Sequence, residues 1–91
     1  MGSRRRPQPL CLPAKLLHIR QSLDLTQEQM ARQLETNRSP VYPTHISEFE
    51  RGLREPSLLV LLQYARLTGI STDALIDDDL DLPSKLKRRG K

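Results

Sequence analysis

The chain is expected to fold as an all-α domain, and three observations point there. Apolar residues recur at helical spacing in separate segments: Leu16, Ile19 and Leu23, then Ile46, Phe49 and Leu53, then Leu58, Leu61, Leu62 and Ala65. Residues that start or stop helices stand between these segments, among them Thr26, Gly52, Ser57 and Gly69. No stretch alternates apolar and polar residues with the strand period, and no internal repeat is visible.

Each element follows in turn. Residues 1–12 carry Arg4, Arg5, Arg6, Pro7 and Pro9 and read as a flexible, extended basic arm. Pro13 suits the first turn of a helix, where its missing N–H costs nothing. Leu16, Ile19 and Leu23 form that helix's apolar face, and Arg20 takes the i+4 place on it. Thr26, with Gln29 three residues on, predicts a capping box that opens a second helix. Met30, Ala31 and Leu34 form its inward face, and the small Ala31 admits a close neighbour. Residues 35–43, with Pro40 and Pro43, read as a loop.

A third helix is predicted over Thr44–Arg51, ended by Gly52 in a left-handed cap. Ile46, Phe49 and Leu53 share one face of it, and Glu50 occupies the remaining place on that stripe. Ser57 is the expected cap of a fourth helix. Leu58, Leu61, Leu62 and Ala65 give this helix its strong apolar stripe, and Val60, Tyr64 and Leu67 give a second beside it. Two stripes mark a central helix, the second being extra core or, alternatively, part of a dimer interface. Gly69 ends it. Ser71-Thr72-Asp73 opens a short fifth helix through Leu75 and Ile76, with an acid well placed in its first turn. The expected organisation is therefore an arm over 1–12, a domain over 13–77 and a flexible polar tail, acidic and then basic, over 78–91.

At 91 residues there is room for one small core. The aromatics are only Tyr42, Phe49 and Tyr64, so that core must be mostly leucine. The lone Cys11 excludes an internal disulfide and a cysteine-clustered zinc site. Nothing requires an oxidising compartment, so a cytoplasmic protein is expected. No apolar run approaches the roughly 20 residues that span a bilayer, and no hydrophobic region follows the first residues as a secretion signal would require. The net charge of +4 and the pI of about 9.7 permit nucleic-acid binding. The basic residues cluster at the ends, in Arg4–Arg6 and in Lys85, Lys87, Arg88, Arg89 and Lys91, with an acidic run from Asp73 to Asp81 between them.

Arg20 and Glu50 are opposite charges on two apolar faces. A buried charge is costly unless paired, so a structural ion pair is expected. The other face of the third helix carries Thr44, His45, Ser47, Glu48 and Arg51, all able to hydrogen-bond. A short helix buried on one side and polar on the other reads as a recognition element. His18, His45 and Cys11 match no standard metal-ligand spacing. There is no nucleophile elbow, glycine-rich phosphate loop or paired-carboxylate cleft, so no metal, cofactor or enzymatic activity is expected.

Residues 16–76 resemble the lambda-repressor-like, Cro-type (XRE) helix-turn-helix family. The resemblance rests on Ile19-Arg20, on Leu25-Thr26-Gln27-Glu28-Gln29-Met30-Ala31, and on Ile46-Ser47-Glu48-Phe49-Glu50-Arg51-Gly52. It extends through Glu55-Pro56-Ser57 and through Tyr64-Ala65-Arg66-Leu67-Thr68-Gly69-Ile70-Ser71. It implies a five-helix domain that binds double-stranded DNA as a small bacterial-type transcriptional regulator, a repressor, with its third helix in the major groove. It also implies the Arg20–Glu50 pair. In that fold Thr44, His45, Ser47 and Glu48 face base edges, and Gln27, Arg38, Arg51 and Arg54 are assigned to phosphates. One short helix reads few base pairs, so a homodimer on a pseudo-palindromic site is expected. The alternatives are an antitoxin or controller that binds both DNA and a protein partner, and a protein-interaction module without DNA binding. The chain departs from the family between the second and third helices. Glu35 stands where glycine is common, and the connection is about five residues longer than the usual short turn.

Overall fold

Five α-helices and no strand make up the described residues, 9–37 and 39–83, of a computed structural model. α1 spans Leu12–Ser22, α2 Gln27–Leu34, α3 Pro43–Glu50, α4 Leu58–Thr68 and α5 Thr72–Ile76. α3 packs against α1 and α2, α4 against α2 and α5, and α5 returns to α1. Leu12, Leu16, Ile19, Met30, Ala31, Leu34, Ile46, Phe49, Val60, Leu61, Tyr64 and Leu75 bring all five helices into one core.

The helix ends are set by local chemistry. Thr26 Oγ1 accepts from the Gln29 N–H at 3.0 Å while Gln29 Oε1 accepts from the Thr26 N–H at 2.9 Å, the capping box expected there. Ser57 and Ser71 cap α4 and α5 with a single bond each, their hydroxyls accepting from the Val60 and Ala74 N–H groups. α1 ends where Asp24 takes a left-handed φ of 60°, a conformation that short acids tolerate. Asp24 and Leu25 then donate backward to the Gln21 and Arg20 carbonyls. α3 ends in the same turn with Gly52 at φ 75°, and Leu53 donates to the Glu48 carbonyl at 2.8 Å. A Cβ on Gly52 would meet Pro13 at an ordinary 3.5 Å, so the backbone angle rather than crowding requires glycine here.

Two expectations about apolar faces need correction. Leu53 is 66% exposed, because the left-handed turn at Gly52 carries the chain off the helical path before position 53. In α4 the core face is the one with Val60, Leu61 and Tyr64, while Leu58 projects into solvent at 83% exposure. Val60 and Tyr64 are buried and Leu67 packs on the core, so this stripe is not free to serve as a dimer interface.

Two polar tethers hold the helices in place. Glu50, with its side chain 4% exposed, accepts from Arg20 Nε at 2.8 Å and from a second Arg20 nitrogen at 3.1 Å. Gln27 adds a third contact to Glu50 at 3.3 Å, and Arg20 also donates to the Leu25 carbonyl at 2.9 Å. The hydrogen bond to Glu50 raises the Arg20 guanidinium above its already high ordinary value, against the opposing effect of burial. Burial, helped by the Glu50 charge, likewise pushes the neighbouring Tyr64 phenol well above its usual value, so it stays protonated.

The second tether joins the two ends of the domain. Lys15 donates to the Ala74 and Asp77 carbonyls at 2.7 and 2.9 Å, at the C-terminal end of α5. Asp78 accepts from the Leu10 and Cys11 N–H groups, both at 2.9 Å, at the N-terminal end of α1. Each charge thus meets the helix end of opposite polarity. The bonds from Cys11 and then Leu10 hold the Asp78 carboxyl below its ordinary value. Leu82 packs on the core beyond this tether. The basic runs Arg4–Arg6 and Lys85–Lys91 lie outside the described residues.

Arg20→Ala or Glu50→Ala should cost about 3–5 kcal/mol in urea unfolding, since each leaves the other charge in the interior without its counter-charge. Replacing both by apolar residues, Arg20→Met with Glu50→Leu, should cost less than either single change. Single variants as stable as the parent would remove the pair from the scaffold. For Asp78 the folded value lies below the ordinary 3.8, so its contribution is present above that value and lost as pH falls through the folded one. Asp78→Asn should melt below the parent at neutral pH, and the two melting curves should converge in strong acid. A gap that persists unchanged into strong acid would mean that the ionised carboxylate is not the cap.

Candidate nucleic-acid interface

α3 presents two distinct sides. Ile46 and Phe49 are buried, and the Glu50 side chain turns inward with them to meet Arg20. Thr44, Ser47, Glu48 and Arg51 stand at i, i+3, i+4 and i+7 and share the opposite face. Thr44 and Arg51 are exposed there, and Ser47 and Glu48 are half-buried. His45 sits apart from this face, on its flank. Its ring meets Tyr42 edge-on at 5.2 Å and lies tilted 6.4 Å from Phe49. Of the four residues read as base-facing, the fold therefore brings Thr44, Ser47 and Glu48 together and packs His45 beside them.

Arg54 reaches back from the turn after α3 and donates from Nε to Glu48 at 2.6 Å. The two side chains are 51% and 33% exposed, so the pair adds little to stability. It does set the electrostatics of the face. The hydrogen bond from Arg54 holds the Glu48 carboxyl below its ordinary value, with smaller help from the charges of Arg54, His45 and Arg51. Arg51 leans along its own helix, its Nε 3.4 Å from the Ser47 carbonyl.

Gln27 is the first residue of α2, at a helix start whose free N–H groups favour anions. Its side-chain amide crosses to Glu50, so the start of α2 and the end of α3 are joined through one carboxylate. The expected phosphate contact at Arg38 falls outside the described residues. The connection before α3 has its own logic. Glu35 leaves α2 in an extended conformation, φ −70° and ψ 139°, which needs no glycine. Thr36 and Ser39 exchange backbone hydrogen bonds at 3.2 Å and close the loop on itself. Val41 then enters the core at 4% exposure, while Tyr42 stays 56% exposed and caps α3. Pro43 extends the helix one residue ahead of Thr44.

Four features escaped the sequence reading. Lys15 carried a usable signal, since it stands in the stripe of Leu12, Leu16 and Ile19 as Arg20 does. Val41 carried a weaker one, as a β-branched residue between two prolines. The Asp78 cap and the Glu48–Arg54 contact had none, because both depend on where the chain returns. Among the described residues no group of three or more His, Cys, Asp or Glu side chains is placed to hold a metal ion, and no helix is long and apolar enough to cross a membrane.

A family model described as a helix-turn-helix matches residues 16–75, most of the chain and all of it from within α1 into α5. No curated protein matches the chain, and no solved structure does. The five helices in order, the second and third side by side, and the match over that whole unit lead to one assignment: the chain belongs to the XRE, lambda-repressor-like family of DNA-binding helix-turn-helix domains.

Proposed function

We propose that this domain binds double-stranded DNA sequence-specifically as a transcriptional repressor, laying α3 in the major groove. The observation that carries the reading is the face of Thr44, Ser47, Glu48 and Arg51, on a helix whose other side is pinned to the core through Glu50. Thr44, in the first turn, is placed to bond a base or touch a thymine methyl, and Ser47 to bond a base edge one turn on. His45 borders the groove from the flank. Gln27, Arg51 and Arg54, with Arg38, supply the phosphate contacts that fix register. Repression requires only occupancy of the site. A cytoplasmic location goes with this role.

Two copies on a pseudo-palindrome extend the reading, with half-sites about one helical turn, roughly 34–36 Å, apart. Exposed Leu58 and Ile76 border a mostly apolar groove with Leu12, Pro56 and Leu61, none of them on α3, which supports a docking surface there. The same groove favours a second reading, a controller or antitoxin that binds DNA and a protein partner, a toxin or another regulator.

Selection of bound sites from random duplex DNA tests the first reading, and failure to bind any duplex at low salt overturns it. Thr44→Ala should lower affinity for the selected site by about 1–3 kcal/mol with melting unchanged. His45→Ala should lower both affinity and melting temperature, because its ring also packs on Tyr42 and Phe49. Sedimentation should find two chains per selected site, and Leu58→Glu should leave one. A single parent chain at saturation would rule out the dimer.

A further inference from the structure

We propose that Glu48 is a positioning residue for Arg54. Its carboxylate grips one edge of the guanidinium and turns the other edge toward a phosphate of the bound duplex. The inference rests on the reading of α3 as the DNA-reading helix and gives Glu48 a task other than direct contact with a base.

The geometry carries it. An acid on a DNA-facing surface is repelled by phosphates unless something neutralises it. Two arginines lie close by, and only one is engaged. Arg51 turns along the helix to the Ser47 carbonyl, while Arg54 folds back across the Gly52 turn to Glu48 at 2.6 Å. The turn itself is fixed, because Leu53 donates to the Glu48 carbonyl at 2.8 Å and so ties the backbone beside Arg54 to Glu48. Glu48 takes Nε, which leaves the outer nitrogens of the guanidinium available to a second acceptor. Arg54 follows the C-terminal end of α3, whereas base edges are met by the first turns of a recognition helix, so its acceptor is backbone rather than base.

A held arginine and a loose one do different things. A loose arginine finds a phosphate on any sequence and adds attraction without selectivity. A held arginine meets its phosphate only when α3 is in register, so it reinforces the base contacts. Neutralising Arg54 also lowers the general attraction of the face for DNA. Glu48 therefore raises the preference for the selected site over other sequences, acting through Arg54.

The test compares the full-length parent with Glu48→Ala, Glu48→Gln, Arg54→Ala and the double alanine variant. The probes are a duplex selected by the parent from a random pool and a duplex of random sequence, each titrated over a range of salt. Glu48→Ala should bind the random duplex more tightly, with a salt dependence steeper by about one phosphate contact. On the selected duplex it should bind about tenfold more weakly, roughly one charge-assisted hydrogen bond to a phosphate. Glu48→Gln keeps an acceptor for Nε and should retain most of the selected-site affinity. The double variant should bind the selected duplex no more weakly than Arg54→Ala alone.

Three outcomes overturn the inference. If Glu48→Ala tightens both duplexes alike, Glu48 is only a repulsive acid. If the losses of the two single variants add in the double, Glu48 acts on the duplex independently of Arg54. A parent that enriches no sequence overturns the DNA-reading assignment as well, and so is distinguished from the first two.

Discussion

Glu50 is the constraint on which the structure depends. It is a carboxylate with almost no exposure, and it is tolerable there only because Arg20 meets it with two hydrogen bonds and Gln27 with a third. Those contacts come from α1 and from the first residue of α2, while Glu50 itself ends α3. Arg20 also binds the Leu25 carbonyl in the turn between α1 and α2. One buried anion thereby fixes three helices and a turn. An apolar contact in the same place would permit sliding, whereas a two-point guanidinium–carboxylate contact has a preferred plane and direction. The orientation of the outward face of α3 follows from that geometry, because the two faces belong to one short helix.

The long connection before α3 shows how the fold absorbs a departure from its family's pattern. A short turn needs a left-handed residue where α2 ends. Here Glu35 is extended instead, and the extra residues close into a small loop through Thr36 and Ser39. Val41 then anchors the returning chain in the core. The start of α3 is set by that anchor and by Pro43, and its end by Glu50.

Charge is placed differently elsewhere in the domain. Lys15 and Asp78 join the two ends of the domain through backbone groups at helix termini, so these charges are structural even though they lie near the chain's limits. Glu48 and Arg54 pair on the outward face of α3. The same kind of contact is enclosed scaffold in one place and a partly solvated surface pair in the other. Burial separates the two cases: the Glu50 side chain is enclosed, whereas that of Glu48 remains partly in solvent.

Sequence alone determined the five helices, the caps at Thr26, Gly52, Ser57, Gly69 and Ser71, and the Arg20–Glu50 pair. Periodicity and capping act over a few residues, so Thr26 with Gln29, Gly52, Ser57 and Ser71 are legible without knowing the fold. A charge in an apolar stripe is equally legible, since burial forces it to find a partner of opposite sign. Tertiary structure decided which stripe of α4 faces inward, that Leu53 turns out, that Val41 turns in, and that the His45 ring rests against Tyr42 and near Phe49. It also decided that Asp78 reaches the start of α1 and that Arg54 rather than Arg51 takes Glu48. These outcomes depend on where segments distant along the chain come to lie and on the direction in which turns deliver them. Helical spacing constrains neither, because it fixes the angle of a side chain about its own axis and not what stands opposite it.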